Sequence, residues 1–104
     1  MGVINMSVDY YKLGRKILIK VLDAIDYWCW NISGNTVYEC YCAHYDLGLY
    51  DIACMFVGYS YGITEEDIKI LEEMPDDIYE KLDNELNSRL ESVIKKLEEQ
   101  DGSE

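Results

Sequence analysis

Cys40, Cys42 and His44 stand at every second position of YECYCAHYD (38–46), and they include two of the chain's four cysteines and its only histidine. Three soft donors at that spacing can gather a metal. On a strand all three side chains share one face, whereas on a helix only Cys40 and His44 do. Cys29 or Cys54 would complete four ligands. Zinc modules usually present paired Cys-x2–4-Cys or His-x3–5-His knuckles, however, and the chain has neither. Its cysteines alternate with Tyr and Ala, as small core residues do. We therefore read the segment as thiol-rich packing and assign it no metal and no cofactor.

Thiol chemistry has less support still. There is no C-x-x-C, and no run of basic residues surrounds a thiol to lower its pKa. A Cys–His44 nucleophile would need an orienting group and an oxyanion hole. Carboxylates are abundant enough to supply an acid–base pair anywhere, so their number does not point to hydrolysis. No catalytic residue is assigned, and the expected protein is non-enzymatic.

The elements that must carry these residues read as helices. Ser7 can cap a long first helix over VDYYKLGRKILIKVLDAIDYWCW. Tyr10, Ile17, Val21 and Trp28 recur near helical spacing, with Tyr11, Leu18, Leu22 and Ile25 beside them. Lys12, Lys16 and Lys20 line the other side. Gly14 costs about 1 kcal/mol relative to Ala in such a helix, and NISGN ends it with turn chemistry. The middle third carries competing signals. TVYECYCAHYD is rich in strand formers, yet Thr36 followed by Glu39 is a capping-box pattern that starts a helix. Asp46-Leu47-Gly48 would end it, and LYDIACMFV would form the next short element before GYSYG. Two short helices are preferred, with a hairpin over 36–58 as the alternative.

The last third is plainer. Thr64 and Asp67 match the cap of a helix over EEDIKILEE, and Pro75 suits the first turn of the next. Tyr79, Leu82, Leu86, Leu90, Val93 and Leu97 then recur at steps of three and four, one apolar stripe on a helix of about 24 residues. The tail, residues 100–104, is expected to fray. The expected fold is therefore all-α: a small single-domain helical bundle spanning 1–104, with a long N-terminal helix, short middle helices and a long C-terminal helix.

Composition removes several function classes. The chain has 104 residues, about half of them apolar, and a formal charge of −12 from 21 acidic and 9 basic side chains. Nucleic-acid binding requires cations against phosphate, so direct contact with DNA or RNA is disfavoured. An anionic membrane surface is repelled likewise, and no apolar run is long enough to span a bilayer. MGVINMSVDYY lacks a basic leader followed by an apolar segment, so we expect no secretion signal. Met1-Gly2 opens a myristoylation pattern that Met6 breaks, and Asn31-Ile32-Ser33 is read as a turn rather than a glycosylation site. The location expected on these grounds is the cytoplasm, with free thiols. Ten Tyr and two Trp accompany one Phe, which favours a core with wet edges over an aromatic binding surface. DIACMFVGYS before ITEEDIKIL faintly resembles the turn of helix-turn-helix repressors. Ala53 and Gly58 are five apart where four is usual, and Glu65-Glu66-Asp67 would be repelled from phosphate.

Charge placement is the one distinctive feature. Residues 1–63 carry six acids and four bases, whereas residues 64–104 carry 15 acids and five bases. Acids near helix N-termini are locally favoured by the helix dipole, which accounts for part of the excess. Asp76, Glu80 and Asp83 should share one helix face away from Leu82 and Leu86. The expected partner is accordingly a basic protein that handles nucleic acid. Glu65, Glu66, Asp67, Glu72, Glu73, Asp76, Asp77, Glu80 and Asp83 form the contact set. In size and charge, though in no motif, the chain is similar to small acidic proteins of mobile elements that block restriction or CRISPR nucleases. That likeness implies a phage anti-defence inhibitor acting as a partial DNA mimic. The alternatives are a homodimer pairing the Leu82–Leu97 stripe, as a structural or adaptor module, and a metal-binding regulator using Cys40, Cys42 and His44.

Overall fold

The structure, a computed structural model, describes residues 8–32, 34 and 36–102. It is all-α: α1 spans Tyr10–Tyr27, α2 Val37–His44, α3 Leu49–Phe56, α4 Glu65–Glu73 and α5 Asp76–Gly102. A π-helical turn, Trp28–Ile32, extends α1. No strand occurs among the described residues, so 36–58 folds as two short helices and the hairpin alternative is set aside.

Local chemistry accounts for most helix starts. Ser7 lies outside the described residues; Asp9 caps α1 by accepting from the Lys12 backbone N–H at 3.0 Å. Thr36 Oγ1 accepts from the Glu39 N–H at 3.1 Å, the side-chain half of the expected capping box. At α4 the box is complete: Thr64 Oγ1 accepts from the Asp67 N–H, and Asp67 Oδ2 accepts from the Thr64 N–H. The Pro75 carbonyl accepts from the Ile78 and Tyr79 N–H groups and so opens α5. That helix has 27 residues, about 40 Å at 1.5 Å per residue. It continues past the apolar stripe through Gln100 to Gly102, because extending a formed helix costs far less than starting one. Residues 103 and 104 lie outside the described residues.

α5 packs against α1, α2 and α3, and α1 also meets α3 and α4. Ile17, Leu18, Val21 and Ile25 of α1 face Leu82, Leu86 and Leu90 of α5 across one buried cluster that Leu49, Ile52 and Phe56 of α3 complete. Gly14 marks the closest approach: a Cβ there would overlap Leu82 Cδ1. The helix-weakening glycine thus has a packing role. Further along α5, Val93, Ile94 and Leu97 are only partly covered.

The α2–α3 turn is held by α5. Gly48 precedes α3 with φ +98° and supplies no side-chain cap. Asp83 Oδ1 instead accepts from the Leu49 N–H at 2.8 Å, and Tyr79 Oη accepts from the Tyr50 N–H at 2.9 Å. Asn87 Oδ1 accepts from the N–H of Asp46, itself at φ +70°. Tyr79, Asp83 and Asn87 are spaced four apart, so one stripe of α5 replaces the missing cap.

Candidate functional site

The helical reading of YECYCAHYD separates the three donors. Cys40 and His44 are buried on α2, while Cys42 is exposed. Cys54 is exposed as well. The buried pair is joined from the π-helical turn by Cys29, which forms a disulfide with Cys40 across a Cα–Cα distance of 5.5 Å. The expectation that all four thiols are free is therefore corrected for two of them. The wide π-turn directs Cys29 inward, between half-buried Trp28 and exposed Trp30, at a separation that a disulfide can bridge. Closing this loop of 11-residue separation stabilises the fold by about 3 kcal/mol in a chain-entropy treatment. It also removes the thiol count as an argument for a reducing compartment.

Ligand atoms of Cys29, Cys40 and His44 lie within 4.8 Å of one another, the one such group among the described residues. The trio differs from the expected one by Cys29 in place of Cys42. With the disulfide formed, neither sulfur is a thiolate, the form that binds metal. His44 is held in place by a backbone bond. Its Nδ1 lies 2.8 Å from the Cys40 carbonyl, which can only accept, so Nδ1 carries the proton. Its ring stacks on Phe56 at 6.0 Å and 16°. As it stands, this is a packing joint between the π-turn, α2 and α3.

The nine acids of the expected contact set divide. Asp67 is buried: it completes the α4 cap and receives the Lys20 ammonium at 2.9 Å. Asp83 is half-buried and caps α3, so it does not share a free face with Asp76 and Glu80. These two serve the fold instead: Asp67 closes the cap of its own helix and pairs with Lys20 of α1, and Asp83 accepts from a backbone N–H that α3 brings to α5. Glu72 is exposed but accepts from the Tyr50 hydroxyl at 2.6 Å. Glu65, Glu66, Glu73, Asp76, Asp77 and Glu80 are exposed, and no ion pair involves any of them among the described residues. Four of these, Glu73, Asp76, Asp77 and Glu80, bracket the corner where α4 passes into α5.

Burial also limits the self-pairing alternative. Leu82, Leu86 and Leu90 are fully buried within the chain. Only the partly covered Val93–Leu97 end of the stripe remains for a second copy.

Two arrangements were missed in the sequence. The first is the use of tyrosine as a carboxylate partner. Tyr11 donates to Glu85 at 2.5 Å, Tyr38 to Glu98 at 2.9 Å, Tyr41 to Asp26 at 2.7 Å and Tyr50 to Glu72. In a chain so short of Lys and Arg, phenol hydroxyls do work usually left to cations. The neighbouring carboxylates hold the phenol protons on. Tyr38 is pushed up to about 12, chiefly by its hydrogen bond to Glu98, and Tyr50 is raised chiefly by Glu72. Burial and then Asp26 raise Tyr41. The excess of Tyr over Phe was the available signal, but the partners are far apart in sequence.

The second is an open cleft of about 610 Å³ where the end of α1 meets the α3–α4 loop, lined by Asp23, Ala24, Tyr27, Tyr59, Ser60 and Tyr61. GYSYG reads as a turn in sequence, and nothing local brings Tyr61 to Tyr27. No helix among the described residues is long and apolar enough to cross a membrane. Compared with protein-family models, with curated proteins and with solved structures, the chain matches none.

Proposed function

We propose that the chain is a non-enzymatic acidic protein that binds a basic, nucleic-acid-handling protein and inhibits it by occupying the nucleic acid's place. The observation that carries this reading is the concentration of acids at the α4–α5 corner, where Glu73, Asp76, Asp77 and Glu80 are exposed and make no ion pair among the described residues. Burying unpaired carboxylates is costly, but displaying them raises the local concentration of a basic partner and orients its approach. On a helix their positions rise in steps of a few ångströms along the axis, a spacing comparable to that of phosphates along a strand. Glu65 and Glu66, in the first turn of α4, are exposed as well. The likeness to anti-restriction and anti-CRISPR proteins is one of size and charge, and a DNA-mimic role is proposed on that footing.

The test is capture of a nucleic-acid enzyme by immobilised protein at low and high salt, followed by competition with duplex DNA. The expected result is capture that weakens with salt, is displaced by DNA, and is lost when Glu73, Asp76, Asp77 and Glu80 are changed together to Lys. Equal capture by that folded variant, verified by circular dichroism, removes the corner as the contact surface. Asp67 and Asp83 are left unchanged, since reversing them would disturb the fold.

A further inference from the structure

The cleft between α1 and the α3–α4 loop combines aromatic faces with a carboxylate. Tyr61 is set edge-on to Phe56 at 5.1 Å and 82°, and Phe56 is buried in the core, so this ring is anchored. Tyr27 and Tyr59 meet Tyr61 from two sides, each at 6.0 Å and inclined at 62° and 64°. Both outer rings are more than half exposed, at 51% and 59%. Asp23 precedes Tyr27 by one helical turn and therefore lies on the same face of α1. Its carboxylate makes no hydrogen bond or ion pair among the described residues. The hydroxyls of Tyr27, Tyr59 and Tyr61 likewise have no hydrogen-bond partner there. This contrasts with the four tyrosines that donate to carboxylates elsewhere in the molecule.

We infer that this cleft binds a cationic side chain, the guanidinium of an arginine on a basic partner polypeptide. Ring faces attract cations through their quadrupole, and the net charge of −12 enriches cations around the whole surface. The pairing of rings with a carboxylate selects among them. A planar guanidinium stacks on a tyrosine face while its N–H fork meets a carboxylate with two parallel bonds, which the compact ammonium of lysine does not reproduce. The openness of the site favours a side chain presented on a chain over a small free cation, which binds best when enclosed. Ala24, small and buried at the base of the cleft, leaves room for the stem of the side chain. The inference rests on the proposed basic partner only for the source of the arginine, and it places a second contact away from the α4–α5 corner.

The test uses short, otherwise neutral peptides carrying one arginine or one lysine, and tetramethylammonium, each titrated into the intact protein. Chemical shifts of the tyrosine rings and backbone amides are followed by NMR. Saturable shifts centred on Asp23, Tyr27, Tyr59 and Tyr61 are expected with the arginine peptide, and weaker binding with the other two. Asp23→Asn and Tyr59→Ala, both at exposed positions, should each weaken the arginine peptide roughly threefold to fivefold. Changing Glu73, Asp76, Asp77 and Glu80 to Gln should leave the cleft as the site of the shifts. Three results overturn the inference: no saturable binding, equal binding of lysine or tighter binding of tetramethylammonium, or shifts spread over the α4–α5 acids and indifferent to Asp23→Asn. Failure of the corner variants in the capture experiment would leave this result standing. Cleft failure with corner-dependent capture intact would remove only the arginine site.

Discussion

The tyrosines placed against carboxylates and the tyrosines of the cleft belong to the same unusual composition but are used in opposite ways. Tyr11, Tyr38, Tyr41 and Tyr50 each give a hydroxyl proton to Glu or Asp on another element, tying α1 to α5, α2 to α5, α2 to α1 and α3 to α4. Tyr27 and Tyr59 are half exposed, rest on Tyr61, and leave their hydroxyls to solvent. The first set shows how a strongly acidic chain satisfies carboxylates with few cations: three ion pairs occur among the described residues beside these four phenol bonds. The second set is where aromatic surface remains available. The acids divide in the same way. Asp67 and Asp83 are absorbed by backbone N–H groups, whereas Asp76 and Glu80, from the same acidic run, are exposed and make no ion pair among the described residues.

If that division is right, removing one hydroxyl should matter at a helix–helix contact and not in the cleft. The largest effect is expected for Tyr41→Phe, which strands the bond from a buried ring to Asp26. Hydrogen bonds to charged groups contribute about 1.5–3 kcal/mol, so urea unfolding should show a loss of that order. The same variant should also respond differently to alkaline pH. The folded-state pKa of Tyr41 lies above the unfolded value, by burial first and Asp26 second, as those of Tyr38 and Tyr50 do through their carboxylates. The folded state therefore holds phenol protons that the unfolded chain releases. The stabilisation is complete below about pH 10 and declines as pH rises beyond it. Denaturation curves at successive alkaline pH values should show this decline, and Tyr41→Phe should shallow it. A decline no smaller in the variant would contradict the assignment.

An intermediate effect is expected for Asp83→Ala. It removes the side-chain acceptor of the first N–H of α3, and losing a helix cap costs about 1 kcal/mol. Amide hydrogen exchange should report it locally, with faster exchange at Leu49 and Tyr50 than at the α4–α5 corner. The smallest effect is expected for Tyr59→Phe. Its hydroxyl has no partner among the described residues, so stability should stay within about 0.5 kcal/mol of the parent. A loss as large as that of Tyr41→Phe would erase the distinction between the two sets of tyrosines.

Helix type and the starts of α2 and α4 were legible because their causes are local; α1 begins after Asp9 rather than Ser7, and the start of α3 depends on α5. Thr64 and Asp67 sit three residues apart and close a box on each other; Thr36 and Glu39 resolve a segment rich in strand formers in favour of α2 by the same short-range geometry. The stripe from Leu82 to Leu97 gave α5, and the spacing on a helix separated Cys42 from Cys40 and His44 before any contact was known. Periodicity could also place Leu82, Leu86 and Leu90 in a core. It could not show that Gly14 lets α1 approach Leu82, since that requires knowing which helix lies opposite.

From the residues alone it follows that this chain is helical, acidic and most acidic after residue 63. Those properties follow from composition and from interactions spanning three or four residues. Tertiary structure decided which groups are left over for a partner. Tyr11 and Glu85 are 74 positions apart, and Lys20 and Asp67 are 47 apart; no local rule connects either pair. Packing α5 beside α3 turned Asp83 from a surface charge into a cap, and the π-turn paired Cys29 with Cys40. Folding the α3–α4 loop onto the end of α1 placed Tyr59 and Tyr61 beside Tyr27 and Asp23. A polar group is free to bind only when nothing in its own fold has already claimed it, and that is settled by which elements meet in space.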